Sequence, residues 1–444
     1  MKSHKHKNAW IVSVNMGYGH ERAAFGLEDL AYGDIITANT YPGIPDSDRQ
    51  TWLNSRHAYE AISRLKPVPI IGEALFDGMD YLQRIAPFYP RRDLSKPNLS
   101  LKLQYRQIRA GLGRHLVEKL AKKRLPLVST FPIPAFAAEE HGYPGDIYIV
   151  TCDADVSRTW APLDPKKSRI RYFAANGRVV ERLKLYGVPA ERIFLTGFPL
   201  PKANVGGPDA ATVKKDLAER ICNLDPNGIF IEKYQRTLQA ELGPSLCQFK
   251  RGHPLTVTFC VGGAGAQANL GVEIMESLRS SIIQNKLHLN LEAGTRDAVA
   301  KEYLGHVKRL RLTKFLGKSL NVHWYDSRPG YFRSFAKTLR TTDILWTKPS
   351  ELSFYAGLGI PIIMAPTVGS QEDFNKTWLM TVNAGTPQLD PAQTNEWLFD
   401  WINSGGLARF AWNGYIEAPT HGAYRIENIL TGEKTPLAEL PLIV

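Results

Sequence analysis

Short apolar runs alternate along the chain with longer segments whose apolar residues recur at helical spacing. A run too short for a helix and rich in Val, Ile, Leu and Phe predicts a strand buried on both faces, and the longer segments predict the helices that cover it. In the first half the strands fall at Trp10 to Val14, Asp34 to Ala38, Leu127 to Thr130, Asp146 to Thr151, Arg171 to Ala174 and Ile193 to Thr196. Helices are predicted over 21–31, 50–65, 101–123 and 176–186, the last closed by Gly187 and Pro189. The stretch GFPLPKANVGGPDA, 197–210, changes texture and reads as an interdomain linker. The second half restarts with LTVTFCV, Leu255 to Val261, and carries further strands at Leu287 to Ala293, Val322 to Trp324, Ile344 to Trp346 and Ile360 to Ala365.

Strand and helix in alternation predict parallel sheets of the α/β class. Each half opens on a strand, a glycine turn and a helix, so the expectation is two Rossmann-like domains facing each other. At 444 residues and 43% hydrophobic, the chain exceeds what one core usually serves. We divide it into 1–200, then 201–405 with a polar helical insertion near 209–250, then a segment 406–444 packing back toward the first domain.

A net charge of +12 directs attention to anionic partners. Basic residues concentrate between 89 and 124, including Arg106, Arg109, Arg114, Lys119, Lys122, Lys123 and Arg124. This surface reads equally as a solvated helix face and as a contact for phosphate groups or an anionic membrane. No interleaved aromatic and basic RNA motif appears, which argues against nucleic acid. The four cysteines lack C-x-x-C spacing and fit a reducing compartment. No run approaches the roughly 18–20 apolar residues of a spanning helix, and the run after the basic N-terminus lacks a cleavage site. The expected location is the cytoplasm, or peripherally the inner face of a membrane.

Two constellations carry chemistry. In TFCVGGAGAQANLG, Gly262, Gly263 and Gly265 stand between a strand and a helix, where backbone N–H groups and the helix N-terminus suit a diphosphate. The run is neither a clean G-x-G-x-x-G nor a nucleotide-hydrolysing P-loop, which argues against NAD and against that hydrolysis. In the second, one strand end delivers Lys348, Ser350 and Glu351, and the next delivers Gly369, Ser370, Gln371, Glu372 and Asn375 to the same sheet edge. Lys348 suits a phosphate, and Gln371 and Glu372 suit sugar hydroxyls.

The segments KPSELSFYAGLGIPIIMAP, GSQEDFN, GGAGAQ and GYGHERAA resemble the GT-B glycosyltransferases that galactosylate or glucosylate diacylglycerol. These are the monogalactosyldiacylglycerol synthase and processive diacylglycerol glucosyltransferase type, related to the enzyme that forms lipid II of peptidoglycan. LVSTFPIPAFAAEEHG, YIVTCDADVSRTWAP and FAANGRVVERLKLYGVPAERIFLTGFPLP follow in the family's order.

The resemblance implies a GT-B fold, two Rossmann-like domains facing across a cleft, with a nucleotide-diphosphate sugar, a UDP-sugar, on the second domain. It implies a hydroxylated, lipidic acceptor on the first domain and no tightly bound metal or cofactor. On that reading Gly263, Gly265 and Gln267 hold the diphosphate, Trp324 and Tyr325 flank the base, and Gln371, Glu372 and Asn375 meet the sugar. Gly17, Gly19 and Trp160 line the acceptor side, with Asp153 and Asp155 beside them. The chain departs from the family at Phe354, which stands where a ribose-binding Glu is usual. That leaves Glu351 to take over the ribose, or the donor to be held differently.

Direct displacement with inversion needs a base for the acceptor hydroxyl. His20 is the first candidate because a neutral imidazole is available near pH 7. Asp153 and Asp155 are the alternatives. Two other functions fit the same architecture: a nucleotide-sugar epimerase, and a non-catalytic sugar-nucleotide-binding protein descended from a transferase.

Overall fold

The computed structural model describes residues 8–54, 85–245, 251–262, 265, 267–367 and 369–441. Among these residues the strands form two parallel six-stranded sheets. The first holds β1 (Trp10–Ser13), β2 (Ile36–Thr37), β3 (Leu127–Ser129), β4 (Ile147–Val150), β5 (Arg171–Ala174) and β6 (Ile193–Leu195) in the order β2-β1-β3-β4-β5-β6. The second holds β7 (Thr256–Cys260), β8 (His288–Glu292), β9 (Leu320–His323), β10 (Ile344–Thr347), β11 (Ile362–Met364) and β12 (Gly385–Pro387) in the order β12-β11-β10-β7-β8-β9. Strands β4 and β7 are buried along their whole length, as apolar runs covered on both faces must be.

Strand order decides where a ligand goes. In each sheet the chain propagates one way from its first strand and then reverses, between β1 and β3 in one and between β7 and β10 in the other. Carboxyl ends at such a reversal leave a crevice that no connecting helix fills. Two sheets of this kind in one chain are the GT-B architecture expected from the sequence.

Several elements differ from the prediction. The helix predicted over 101–123 is two, Leu99–Arg109 and Arg114–Ala121, because Gly111 and Gly113 break it with φ of 120° and 80°. The first helix spans Tyr18–Phe25 and so starts inside the GYGH motif. The helix predicted over 50–65 is present at 50–54, and its remainder lies outside the described residues. Strand β12 is too short and too poor in apolar alternation to be legible, and its Pro387 suits a sheet edge.

Of the polar helical insertion expected near 209–250, residues 209–245 are described, and they pack into the second domain. The helices Ala211–Leu224 and Ile229–Leu242 place Leu217, Ile221, Leu224, Phe230 and Leu238 in the second domain's core. Arg220, buried beside them, donates to the carbonyls of Thr342, Leu358, Gly359 and Leu339.

The domains share one apolar cluster. Phe198 of the link stacks on Phe354 with ring centroids 5.1 Å apart and planes 10° apart, and Phe354 also meets Trp378 at 4.9 Å. The chain returns through Ala418 to Thr420, and the helix Gly422–Thr431 buries Ala423 and Ile426 in that cluster. Phe354 therefore faces the interior. We expect Phe354→Ala to lower the unfolding free energy by about 3–5 kcal/mol in urea denaturation. Phe354→Glu should cost at least as much and add no nucleotide affinity, since it buries an unpaired charge; an unchanged midpoint in either variant would contradict this packing.

Candidate active site at the domain seam

On the first domain, the loop after β1 leads into the helix Tyr18–Phe25, placing His20 in its first turn next to the end of β3. His20 Nδ1 lies 2.8 Å from the carbonyl oxygen of Thr130. A carbonyl only accepts, so Nδ1 carries the proton and donates, and the lone pair is on Nε2. Phe131 meets the imidazole edge-on at 4.8 Å, and Trp160 stands 6.1 Å away. Burial in these surroundings pulls the His20 pKa down to about 4, against a smaller upward effect of the Thr130 bond. The imidazole is neutral at physiological pH, with a fixed tautomer.

Asp153 follows β4. Burial pushes its pKa up to about 6; the Asn375 hydrogen bond opposes this, Glu351 and Glu372 add to it, and Lys348 opposes it. A carboxylate that titrates there is close to the operating range of a general base. Asp155, two residues on, is a correction to the sequence reading. Its carboxylate is fully buried and captured by Arg182, at 2.9 and 2.8 Å, and by Arg178 at 3.3 Å. Helix Gly177–Leu185 supplies both arginines, so Asp155 anchors the loop that presents Asp153.

On the second domain, β10 and β11 bring Lys348 and Glu372 together as an ion pair. A Cβ on Gly262 would sit 2.6 Å from Lys348 Cε, so glycine is what lets the lysine lie across the turn after β7. In that turn Gly265 N–H donates to Gly262 O, and Gln267 caps the helix Ala268–Ser277 while donating through Nε2 to Pro366 O at 2.8 Å. Gly263 lies outside the described residues. Gln371 is half-buried in the first turn of the helix Ser370–Thr381. Tyr325 is fixed by its N–H on Gly294 O and by Tyr331, 5.4 Å away.

The two sides meet directly. Asn375 donates through Nδ2 to Asp153 Oδ1 at 3.0 Å and accepts from Ala154 N–H at 2.7 Å, so it bridges the domains and is almost fully buried. Glu351 also differs from the ribose role considered for it. The segment Glu351–Leu358 winds as a 3₁₀ helix, and the Glu351 carboxylate turns to Arg22 of the first domain, 3.3 Å away. A Cβ on Gly19 would stand 3.2 Å from Glu351 Oε2, a close approach of helix to carboxylate.

Sequence reasoning missed Arg22 although it sits in the quoted motif. Its Nη2 donates to Tyr331 OH at 2.6 Å, and the Phe335 and Tyr331 rings lie 4.6 and 5.1 Å from the guanidinium. It also missed Tyr18, whose hydroxyl meets Thr295 Oγ1 and accepts from Thr295 N–H, each at 3.1 Å. An arginine followed by small residues on a helix carries no sign of its partners. Both contacts form only when the domains close.

A processive diacylglycerol beta-glucosyltransferase of Bacillus cytotoxicus is 23% identical over 407 residues, 88% of this chain and 84% of that protein. A Bacillus cereus protein of the same name is 25% identical over 404 residues, with the same shares. The chain is similar over most of its length to processive diacylglycerol glucosyltransferases. A model described as Domain of unknown function (DUF6938) matches residues 238–405, which contain the whole second sheet. The crystal structure of Acinetobacter baumannii MurG covers 96% of this chain and 100% of its own at 12% identity, with a TM-score of 0.49. Among the described residues no helix is long and apolar enough to cross a membrane, and no group of three or more His, Cys, Asp or Glu is placed to hold a metal ion.

The Asn375 bridge has a measurable consequence. Carbon-13 titration of the Asp153 carboxyl should give a midpoint of about 6. In Asn375→Ala the midpoint should move to higher pH, because the lost donor favoured the ionised form. A wild-type midpoint near the ordinary carboxylate value of about 3.9 would contradict the buried environment described here.

Proposed function

We propose that the chain is a glycosyltransferase that moves a hexose from a uridine diphosphate sugar to the hydroxyl of a diacylglycerol-type lipid, inverting the anomeric centre. The observation that carries this reading is the meeting of the two strand-order reversals. It sets a fixed-tautomer histidine and Asp153 of one domain against a lysine, two glutamates and a glycine turn of the other. The names of the similar Bacillus proteins supply the acceptor class.

In the reaction, the acceptor hydroxyl gives its proton to His20 Nε2 and its oxygen bonds to the anomeric carbon. The bond from that carbon to the diphosphate oxygen breaks, and its electron pair leaves with the diphosphate. Lys348 and the N-terminus of Ala268–Ser277 neutralise that charge where it develops. The incoming diphosphate takes Lys348 from Glu372, which frees Glu372, with Gln371, for the sugar hydroxyls. Asp153, with its pKa raised to about 6, stays mostly ionised at neutral pH.

A lipid acceptor requires approach to a bilayer. On the helix Leu99–Arg109, Leu99 and Leu103 are 59% and 49% exposed on a face that also presents Lys102 and Arg106. Exposed leucines among cations suit the surface of an anionic membrane. This supports a peripheral location.

The test has two readouts on purified protein. Uridine diphosphate or its hexose conjugate at about 100 times the dissociation constant should raise stability by about 2.7 kcal/mol in thermal unfolding. Labelled hexose should then pass into diacylglycerol in anionic vesicles. Failure of every nucleoside diphosphate to stabilise the protein would overturn the donor site. Free sugar or an epimer formed without acceptor would assign epimerase chemistry instead, and binding without turnover would assign a sugar-nucleotide-binding protein.

A further inference from the structure

We propose that the hinge between the domains carries a second anion site, built for a phosphate group and separate from the seam. A cavity of about 420 Å³ lies there, walled by the link at 208–210, the return crossing at 418–421 and the terminal stretch at 436–441. Lys214, His421 and Arg425 line it from three sides.

Lys214 is ion-paired with Glu241 at 3.7 Å, whereas Arg425 has no carboxylate partner among the described residues. Among the described residues Arg425 donates only to backbone carbonyls, through Nη1 to Thr196 O at 3.3 Å and through Nη2 to Ala438 O at 2.7 Å. Burial lowers its pKa to about 10, with no carboxylate opposing the shift. A guanidinium withdrawn from water without a counter-ion is costly, and an anion in the cavity removes that cost. His421 is 4% exposed, and its Nε2 has no hydrogen-bond partner. Arg425, Lys214 and the backbone of Gly207 and Pro208 stand around its ring.

Backbone charge adds to this. The helices Ala211–Leu224 and Gly422–Thr431 begin at Ala210 and His421 in the cavity wall, and neither has a side-chain hydrogen bond at its cap. Two helix N-termini in one cavity wall, neither with a side-chain cap, add positive partial charge there.

The carboxylates nearby do not fill the role. Glu241 Oε1 accepts from Tyr415 OH at 2.8 Å and lies 3.7 Å from Lys214, while Asp209 and Glu439 stand exposed at the rim. Two cations, two helix ends and the neutral His421 ring, whose pKa burial and Arg425 keep low, match a dianion that would favour protonation of that imidazole. Tyr415, Ile416 and Leu437 form an apolar wall that leaves room for the organic part of a phosphate ester. Two of the walls, 208–210 and 418–421, are the crossings of the chain between the domains, so a bound anion touches both.

Calorimetric titration with inorganic phosphate and with glycerol phosphate, at fixed ionic strength, tests the site. A phosphate-binding event should persist in Lys348→Ala, in which the seam's own phosphate contact is removed. Arg425→Gln and Lys214→Gln should each weaken binding at least about tenfold. Tighter binding of glycerol phosphate would identify an ester as the ligand, and equal binding the free anion. No binding by the wild type, loss in Lys348→Ala alone, or unchanged affinity in the hinge variants would overturn the proposal. If Arg425→Gln does not give a native circular dichroism spectrum, Lys214→Gln, half-exposed on its helix, decides.

Discussion

The arrangement of the two domains depends on the burial of one charge. Arg22 leaves the helix of the GYGH motif and enters the second domain, where Glu351 supplies the counter-charge, Tyr331 an acceptor and Phe335 a ring face. A buried guanidinium stripped of its counter-ion costs about 3–5 kcal/mol, so separation of the domains is opposed until water reaches the pair. The same helix carries His20, and the pair that closes the domains therefore also fixes where the imidazole stands. Glu21, the next residue, repeats the device with Arg328; burial pushes its pKa up to about 7 despite that partner.

Most polar groups of the seam pair with one another, although Arg22 Nε and Nη1 make no hydrogen bond. Lys348 holds Glu372, Asn375 holds Asp153, and Arg22 holds Glu351. Ligand entry is then an exchange of partners rather than the filling of an unsatisfied pocket. The cost of desolvating these groups has already been met in the folded chain, which is what preorganisation requires.

The parts of this account that were legible in the sequence are those governed by local pattern. Apolar runs located most of the strands in both sheets, and the glycine turns located the carboxyl ends where His20 and Lys348 stand. The parts that were not legible depend on distant contacts. Asp153 and Asp155 are equivalent on paper, and only the position of Arg182 and Arg178 on the next helix separates a cleft carboxylate from a buried anchor. Phe354 looked like a lost ligand, yet its stacking on Phe198 makes it part of the domain junction. Residues 209–250 looked polar because one face of each helix is, while the other face fills the second core.

The central claim is that His20, kept neutral by burial and held in one tautomer by Thr130, deprotonates the acceptor across the seam from the donor. It is tested most directly by measuring single-turnover transfer and donor affinity in His20→Ala beside Asp153→Asn. The account predicts that His20→Ala keeps donor affinity and loses about 10²–10⁴ in the transfer step. Asp153→Asn should lose less. Full transfer rate in His20→Ala, with the large loss in Asp153→Asn, would contradict the account and move the base to Asp153.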